Sequence, residues 1–504
     1  MLAEDKQKNI IRQKMIAGWR QAHRWSMVWL LLAVVLGLAV YHHWKVLPEG
    51  LDWQSEERIV NLSDIKFLKD QTYQDKNKQT VIKQEIFDNV FQFIDAADQY
   101  ILVDMFLFNY FGVTDSQAYR SLCQELTDKL VAKKQAKPDI RIDFITDPIN
   151  TVYGGLSSPQ IKALQQAGVN VIITDLKPLR DSNFFYSGWW RLVFSWWGNS
   201  SAHGWLTAPF KAKGKVNLRS YFALLNFKAN HRKVFLADNS GRLAAVVASA
   251  NPHDGSSRHA NVAISVKGQT AEALYQSETM VAQLSAASLN PLPENLLNNQ
   301  TTGENKYAKV RVVTENKIAQ AALTVINQTQ AEDKIYLAMF YLSDRRIIKA
   351  LVEAAERGVI TKIILDPNRD AFGYEKNGIP NRPVAAELLR RSDNKIAVRW
   401  SDTHGEQFHT KMLIVFNNEE QTADLLLGSA NFTKRNLNNF NLETDLWLTT
   451  RQDLSLAQEV KQYFENLWSN GDGNYTVDYE KYQDESWPLF FTYWLQETTG
   501  LSSF

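Results

Sequence analysis

The sequence contains a single cysteine, Cys123, so no disulfide can form within the chain and cysteine usage does not indicate the redox compartment. Net charge is also missing: 56 basic and 55 acidic residues leave a formal charge of +1, which gives no general reason to expect a polyanionic partner. No group of His, Cys, Asp and Glu residues has a spacing typical of a metal site, so we expect no metal and no other cofactor. The length of 504 residues and 45% hydrophobic content predict two or three globular domains.

One long apolar run, "WSMVWLLLAVVLGLAVYHHW", covers residues 25–44. As a helix, about 20 residues span roughly 30 Å, the thickness of the hydrocarbon core of a bilayer. Residues 1–24 are mainly basic and the residues after the run are mainly acidic, so we predict a cytoplasmic N-terminus and a chain that continues outside the cytoplasm. A cleaved signal peptide is the alternative, but the long basic segment and the absence of a small-residue cleavage site favour an anchor.

The remaining chain contains the same unit twice. The strand-like stretches "QYILVDMFLFN" (99–109) and "KIYLAMFYLSD" (334–344) each follow a helix-like segment, and similar stretches then recur in the same order. Alternating strands and helices predict α/β layers, and the recurrence predicts a duplication. The predicted organisation is a basic segment (1–24), an anchor (25–44), a linker (45–75), a first half (76–288), a linker (289–306), a second half (307–470) and an aromatic tail (471–504).

Each half has a histidine and a lysine two residues apart at the start of a strand-like run, His231 with Lys233 and His409 with Lys411. Residues i and i+2 of a strand point to the same face, so the imidazole and the ammonium group would project together. One such pair is usually structural. Two copies, followed after 20 and 22 residues by the asparagines of "ASAN" (248–251) and "GSAN" (428–431), indicate an active site.

The pattern His-x-Lys-x4-Asp followed by Gly/Ser-Ser-x-Asn, present twice, resembles the phospholipase D superfamily over about residues 76–470. The resemblance implies an α/β fold of two similar halves, each a mixed β-sheet flanked by helices, packed as a pseudo-twofold pair behind the N-terminal transmembrane helix. It also implies one metal-free site, formed within one chain, that cleaves phosphodiesters. One histidine attacks phosphorus to form a phosphohistidine, and the other protonates the leaving oxygen and then activates water or an alcohol.

The residue types fit these roles. Imidazole has an ordinary pKa of about 6.5, which suits both a nucleophile and an acid near neutral pH. Ammonium and amide groups stabilise the charge that develops on phosphoryl oxygens. The predicted groups around the phosphate are Lys233, Lys411, Asn251 and Asn431, with the hydroxyl groups of Ser249 and Ser429 as further substrate contacts.

The two copies of the motif differ in their acidic residues. Asp238, the acid of the first copy and a candidate catalytic residue, is replaced by Phe416 in the second. Asp238 also opens the turn-like "DNSG", so a supporting role is at least as consistent with the sequence as a role in chemistry. Because the second copy lacks this acid, a scaffold without catalytic activity stays open as an alternative.

Glu443 is the other unmatched acid. It lies 12 residues after Asn431, and Ala263 occupies the same distance after Asn251. A nucleophilic imidazole needs an acceptor on its second nitrogen, and in the resembling family this acceptor often comes from the other half. We therefore predict that Glu443 orients His231, that His231 is the nucleophile and that His409 is the acid and base. The reverse assignment stays open.

The first half carries an insertion at about residues 176–226. Residues 182–237 contain no acid but eight Lys and Arg residues. Its tryptophans are predicted to contact substrate, either at a membrane surface beside anionic lipid or by stacking on nucleic-acid bases; packing on the core is the third possibility. The tryptophans concerned are Trp189, Trp190, Trp196 and Trp197.

The anchor favours lipid over nucleic acid. We therefore predict a membrane-anchored phosphodiesterase or phosphatidyltransferase of cardiolipin synthase type, with the bilayer and a phospholipid as partners. A tethered exonuclease on single-stranded nucleic acid is the alternative. Asn431 begins the glycosylation sequon "NFT" and would be at risk in a glycosylating compartment, which favours a bacterial inner membrane with a periplasmic catalytic domain.

Overall fold

The computed structural model describes residues 2–113, 119–297, 306–371 and 374–502, with the side chains of 2–4 and 370–375 excepted. Its first element is the helix α1 (Leu2–Trp44), in which the basic segment and the apolar run are continuous. Among the described residues, α1 alone is long and apolar enough to cross a membrane. Most of its apolar side chains are exposed, and those of Val35 and Ala39 are buried.

The first half is built on an eight-stranded sheet with the order β3-β2-β11-β10-β9-β4-β5-β6. Strands β4, β5 and β6 run parallel and the other neighbours are antiparallel, so the sheet is mixed. Its strands are β2 (Ile65–Gln74), β3 (Thr80–Lys83), β4 (Tyr100–Met105), β5 (Arg141–Thr146), β6 (Asn170–Ile173), β9 (Lys233–Asn239), β10 (Arg242–Ala248) and β11 (Asn261–Lys267). Its helices are α2 (Ile86–Ala96), α3 (Leu122–Ala136), α4 (Pro159–Gln166) and α7 (Gln269–Leu284).

The insertion forms a small subdomain between β6 and β9. Its elements are α5 (Phe184–Trp189), a π-helical turn (Trp190–Phe194), a two-stranded ribbon of β7 (Leu206–Thr207) and β8 (Lys215–Val216), and α6 (Leu218–Leu224). Helix α5 packs against α1, and the contact is so close that a Cβ atom at Gly188 would collide with the carbonyl oxygen of Val35. The insertion is therefore attached to helix α1.

The second half is built on a nine-stranded sheet with the order β1-β12-β20-β19-β18-β13-β14-β17-β21. Its strands are β1 (Arg58–Asn61), β12 (Tyr307–Thr314), β13 (Lys334–Met339), β14 (Ile360–Leu365), β17 (Ala397–Ser401), β18 (Lys411–Asn417), β19 (Thr422–Gly428), β20 (Thr444–Arg451) and β21 (Thr476–Asp478), and a separate ribbon pairs β15 (Asp370–Ala371) with β16 (Tyr374–Glu375). Its helices are α8 (Asn316–Asn327), α9 (Arg345–Glu356), α10 (Asn381–Arg391), α11 (Lys434–Leu437), α12 (Ser455–Ser469) and α13 (Trp487–Thr499).

Seven strands of each sheet correspond in order and direction. The series β2-β11-β10-β9-β4-β5-β6 in the first half matches β12-β20-β19-β18-β13-β14-β17 in the second. Both series place the strand that follows the motif histidine, β9 or β18, at the centre of its sheet. The predicted fold class, two mixed α/β halves with an N-terminal apolar helix, is confirmed.

A common core joins the halves. Alternate residues of β9 and β18 face it, for example Val234 and Leu236 with Met412 and Ile414. The residues between them, such as Phe235 and Leu413, face the separate outer core of their own half. Strands buried on both faces read as continuous apolar runs, which explains the sequence that follows each motif.

The segment 45–75, which we expected to be a linker, contributes to both sheets. Strand β1 pairs antiparallel with β12 in the second half, and β2 pairs with β11 in the first. The sequence analysis did not identify either strand. Of the expected linker 289–306, residues 298–305 lie outside the described residues.

Candidate active site

The two motif histidines lie on the wall of one cavity. His231 lies two residues before β9 and His409 lies two residues before β18, so each sits just before a central strand. The cavity has a volume of about 470 Å³ and is lined by residues of both halves, including Asn251 and Asn431. The duplicated motifs therefore meet in one place.

His231 contacts Glu443 of the second half. Its Nδ1 lies 2.8 Å from Oε1 and 3.0 Å from Oε2 of the carboxyl group, which is fully buried. The backbone brings the two together, because the His231 amide donates to the Leu442 carbonyl oxygen at 2.9 Å. The Ser429 hydroxyl group and the Asn436 amide group also donate to the carboxyl oxygens. The Ser429 and Asn436 side chains therefore hold the Glu443 carboxyl against the imidazole.

His409 contacts Asn261 of the first half. Its Nδ1 lies 3.0 Å from Asn261 Oδ1, and the Ser249 hydroxyl group donates to the same oxygen at 3.0 Å. Asn261 Nδ2 donates to the His259 carbonyl oxygen at 3.0 Å, which fixes the amide with Oδ1 towards the histidine. His409 Nδ1 is thus the donor. Each half supplies the acceptor for the histidine of the other.

This exchange corrects one alignment of the sequence analysis. The counterpart of Glu443 is Asn261, whereas Ala263 lies in the outer core of the first half. Asn261 follows its serine, Ser249, by 12 residues, and Glu443 follows Ser429 by 14. The two additional residues make counting from the motif asparagines misleading.

The motif lysines occupy equivalent positions beneath the histidines. Lys233 Nζ donates to the His231 carbonyl oxygen at 2.5 Å, and Lys411 Nζ donates to that of His409 at 2.9 Å. Each ammonium group lies 5.2 Å from a ring centroid, of Phe106 and Phe340 respectively. Burial lowers the pKa of Lys233 to about 7 and lowers that of Lys411 well below its ordinary value. An anion between them would favour the charged form of both.

The histidines and Glu443 have shifted pKa values for the same reason. Burial, followed by the nearby lysines, lowers the pKa of both His231 and His409 well below 6.5. Burial raises the pKa of Glu443 to about 8, opposed by Lys233 and the hydrogen bonds it accepts. Without a bound anion, burial and the lysines therefore favour the uncharged form of both imidazoles, which has a lone pair on one ring nitrogen.

One buried aspartate fixes the backbone before each histidine, and the sequence analysis assigned neither aspartate to the site. Asp147 Oδ2 accepts from the Asn230 amide, and Asp366 Oδ2 accepts from the Phe408 amide, both at 2.7 Å. Burial raises the pKa of each to about 7. Their signal in the sequence was the Asp-Pro pair that ends one matched strand in each half.

Asp238 lies at the far end of β9 from His231, about 23 Å away at the rise of an extended strand. Its carboxylate accepts from the backbone amides of residues 98–100 at 2.8 to 3.1 Å and contacts no cavity residue. Its counterpart Phe416 lies in the common core, with its ring centroid 5.6 Å from that of Tyr336. The structure therefore gives Asp238 a supporting position, and the difference at Phe416 leaves the cavity unchanged.

The two motif serines are fully buried and do not line the cavity. Ser249 and Ser429 instead donate to Asn261 and Glu443, the acceptors of the histidines. They position the site and do not reach a bound substrate. The prediction that their hydroxyl groups contact substrate does not fit this geometry.

The four predicted tryptophans also lie off the cavity wall. Trp190 is buried, and the guanidinium carbon of Arg219 lies 4.2 Å from the centroid of its ring. Trp196 is 81% exposed. The insertion reaches the cavity through Phe210 and Leu224, and Phe227 and Lys228 line it just after the insertion. Tryptophan content drew attention to the insertion, but its turn geometry decides which side chains face inward.

The remaining wall is mainly aromatic and polar. Of the other histidines, His253 lies on the wall and its Nε2 is 2.9 Å from the Phe111 carbonyl oxygen, while the His259 ring is 6.0 Å from that of His409. His404 is exposed. The wall also contains Phe106, Leu107, Asn109, Ile149, Tyr153, Phe340, Tyr341, Lys376, Gln407, Arg435, Asn436 and Asn441.

Comparison with known proteins gives a family and a fold. Residues 323–468 match the family described as "Cardiolipin synthase, PLD-like domain". The chain is similar to the crystal structure of phosphatidylserine synthase from Haemophilus influenzae Rd KW20, with a TM-score of 0.54, 12% identity, and coverage of 88% of this chain and 95% of that one. It also matches the phospholipase D family member Nuc from Salmonella typhimurium, with a TM-score of 0.25, 23% identity, and coverage of 33% and 97%.

No curated protein matches the chain in sequence. The matched domain covers the second half, and the first half repeats its strand order and its motif around a common cavity. Residues 323–468 therefore match a PLD-like domain of the cardiolipin synthase family, and the fold of the chain is similar to that of the phosphatidylserine synthase structure.

Proposed function

We propose that the chain is a membrane-anchored enzyme that cleaves phospholipid phosphodiester bonds and passes the phosphatidyl group to water or an alcohol. The observation that carries this proposal is the meeting of His231 and His409 on one cavity wall, each with Nδ1 bonded to an acceptor from the opposite half. The matched family description, which names cardiolipin synthase, supports a phospholipid substrate.

His231 is the proposed nucleophile. With Nδ1 facing Glu443, its Nε2 lone pair attacks phosphorus, and the bond from phosphorus to the leaving oxygen breaks. The phosphorylated imidazole carries positive charge, and the Glu443 carboxylate is then its counter-ion. The His409 imidazole has the neutral Asn261 amide as its acceptor, so a positive charge on His409 would gain no counter-ion there.

His409 is the proposed acid and base. A bound phosphate anion favours the imidazolium form of His409, which carries a hydrogen on Nε2 as well as on Nδ1. His409 then delivers the Nε2 proton to the leaving oxygen in the first step. In the second step it takes a proton from water or an alcohol, which attacks phosphorus and releases His231. Lys233 and Lys411 lie beneath the pair and would stabilise the phosphoryl oxygens, with amide groups of Asn251 and Asn431 on the wall.

The position of the cavity favours lipid over nucleic acid. At the end of α1, His43 Nδ1 lies 2.9 Å from the Asp181 carbonyl oxygen, and the next residue, Ser182, packs against Gly500. The Gly500 carbonyl oxygen in turn accepts from Arg435, a residue of the cavity wall. A few side chains therefore connect the end of the anchor to the cavity, so a lipid of the same bilayer is close to the site.

Exposed aromatic side chains on both sides of this junction support a bilayer partner. Trp196 of the insertion is 81% exposed, and Trp487 of α13 is 73% exposed. On α13, Trp487, Phe491 and Trp494 form one stacked row, with centroid separations of 5.4 and 6.0 Å. Such rings favour the headgroup region of a membrane. We propose that the insertion and α13 rest on the bilayer, on the side opposite a cytoplasmic N-terminus, in a bacterial inner membrane with a periplasmic site.

Turnover assays with the full chain in lipid nanodiscs test the proposal. Labelled phosphatidylglycerol should be converted, and single-stranded DNA should not be. His231→Ala should abolish conversion, whereas the matched variant of an exposed histidine, His404→Ala, should retain it. Cleavage of DNA alone would establish the exonuclease alternative, and no turnover of either substrate would favour a scaffold.

A further inference from the structure

Arg435 is a buried cation of the cavity wall that the proposed chemistry does not use. It lies in α11, four residues after Asn431, and is 7% exposed. Its Nη2 donates to the Gly500 carbonyl oxygen at 3.2 Å and to the carbonyl oxygen and hydroxyl group of Ser502. Its Nε has no hydrogen-bond partner among the described residues. A buried donor without a partner is rare and costly in a folded protein.

Among the described residues, no carboxyl group forms an ion pair with Arg435. Its partners in the described chain are backbone carbonyls and one hydroxyl group. The carboxyl group with the largest effect on it, that of Glu497, accepts a hydrogen bond from the Lys434 amide. Burial lowers the pKa of Arg435 to about 10, so the side chain stays protonated at neutral pH. A buried charge without an opposite charge is unfavourable unless a ligand supplies one.

Lys228 shows the contrast. It too is a buried cation of the cavity wall, but its ammonium group pairs with Asp181 and donates to the carbonyl oxygens of Leu176 and Leu179 at 3.2 and 2.8 Å. Three acceptors satisfy its three hydrogens, so Lys228 holds the insertion in place. Burial at this wall does not by itself leave a cation unpaired, and the unpaired donor of Arg435 needs another explanation.

Arg435 lies on the His231 side of the cavity. Its neighbour Asn436 donates to Glu443, the partner of His231. Its guanidinium carbon is 5.1 Å from the centroid of Phe227, four residues before His231. Another cation of the wall, Lys376, lies on the side of the other histidine, over the ring of Tyr341. The Tyr341 ring packs at a tilt against Phe340, which contacts His409.

We propose that Arg435 binds a second phosphate group of the ligand, on the His231 side of the phosphate that reacts. A guanidinium group offers several directed donors and suits phosphate oxygens. The inference rests on the proposed function for the position of the reacting phosphate. The second phosphate belongs either to the lipid headgroup or to a soluble acceptor, and both present the same oxygens.

The first arm of the test measures binding without turnover. Calorimetry with the full chain in nanodiscs compares 1,3-propanediol bisphosphate with propyl phosphate. The wild type should bind the bisphosphate about tenfold more tightly or better, the factor that corresponds to 1.4 kcal/mol. Arg435→Gln should bring the two affinities within about twofold of each other. Lys376→Gln, which removes the cation on the other side, should keep the preference.

The second arm uses lipid and separates the two sources. It compares KM for phosphatidylglycerol phosphate and phosphatidylglycerol in the wild type and in Arg435→Gln. A preference that depends on Arg435 in either arm supports the subsite, and the arm with the larger preference identifies the source. Should Arg435→Gln unfold, Arg435→Lys keeps the charge but loses the directed donors, and it should lower the preference several-fold.

Equal preferences in the wild type and the Arg435 variants, or a loss only in Lys376→Gln, would overturn the subsite. Because the first arm reads phosphate affinity and not conversion, its outcome does not depend on lipid turnover. A chain without lipid turnover that still prefers the bisphosphate through Arg435 would refute the proposed function and leave the subsite standing.

Discussion

Glu443→Gln is the substitution that best separates the two histidines. The carboxyl group accepts from three side chains, with His231 Nδ1 at 2.8 and 3.0 Å and with Ser429 and Asn436 beside it. A glutamine keeps the shape but has one acceptor oxygen and one NH₂ group. One of the donors would then face another donor, and the counter-ion of the phosphorylated imidazole would be lost.

The size of the effect follows from these contacts. A buried polar group that loses its partner costs about 1–3 kcal/mol, and a hydrogen bond to a charged group is worth about 1.5–3 kcal/mol. Since 1.4 kcal/mol corresponds to a factor of ten, formation of the phosphohistidine should slow by about 10- to 100-fold. The first step needs the counter-ion, so it should be affected more than the second.

Rapid-quench experiments with a phospholipid labelled at phosphorus check this expectation. The acid-labile phosphoenzyme should form slowly in Glu443→Gln, and it should be absent in His231→Ala. In His409→Ala, a nitrophenol ester whose leaving group needs no proton should still label the enzyme, and the label should then persist. Labelling of His231→Ala but not of His409→Ala would refute the assignment. So would a loss of less than threefold in Glu443→Gln together with a larger loss in Asn261→Ala.

The remaining predictions concern stability and the membrane. Asp238→Ala leaves three backbone amides without their acceptor and should lower the free energy of unfolding by about 2–3 kcal/mol, measured by urea unfolding, with kcat retained. Phe416→Asp restores the motif acid but buries it in the common core, so it should destabilise the fold by at least about 2 kcal/mol without raising activity. Because burial raises the pKa of Glu443 in the folded state, its contribution to stability is largest below about pH 4.5 and is lost as the pH rises towards 8. The Tm of wild type should therefore fall more between pH 5 and pH 8 than that of Glu443→Gln; equal falls would contradict this. Trp196→Ser combined with Trp487→Ser should lower turnover on vesicles several-fold but leave turnover of a monomeric short-chain lipid within about twofold, because only the former needs bilayer contact. Equal losses on both lipids would argue against the bilayer surface.

The sequence predicted the fold because the duplication repeats whole strands. An apolar run that follows His231 and His409 in both halves requires a strand buried on both faces, and the sheets confirm this at β9 and β18. The ends of the domains were harder to predict. Strand β1 joins the second sheet although it precedes the first half in sequence, and a pairing over about 250 residues leaves no local signal.

The site was predictable where residue type and spacing coincide, and not where geometry alone decides. The sequence analysis missed Asn261 because the segment from the motif serine to the acceptor is two residues shorter in the first half than in the second. Arg435 escaped because its unpaired Nε and its place on the wall are properties of the packing. The tryptophans of the insertion were assigned a substrate role because of their number, but the four predicted ones do not line the cavity.

The exchange of acceptors between the halves explains how a duplicated site can work with two different histidines. Neither half contains both a histidine and its acceptor. Glu443 is the acceptor for His231 and Asn261 is the acceptor for His409, each from the opposite half. A carboxylate at both positions would raise the proton affinity of both imidazoles and slow the transfer of a proton to the leaving oxygen. A neutral amide at one position orients that imidazole without raising its proton affinity, so the imidazole can transfer its proton to the leaving oxygen. In the proposed mechanism, the difference between one glutamate and one asparagine, on otherwise matching strands, therefore divides the nucleophile from the acid.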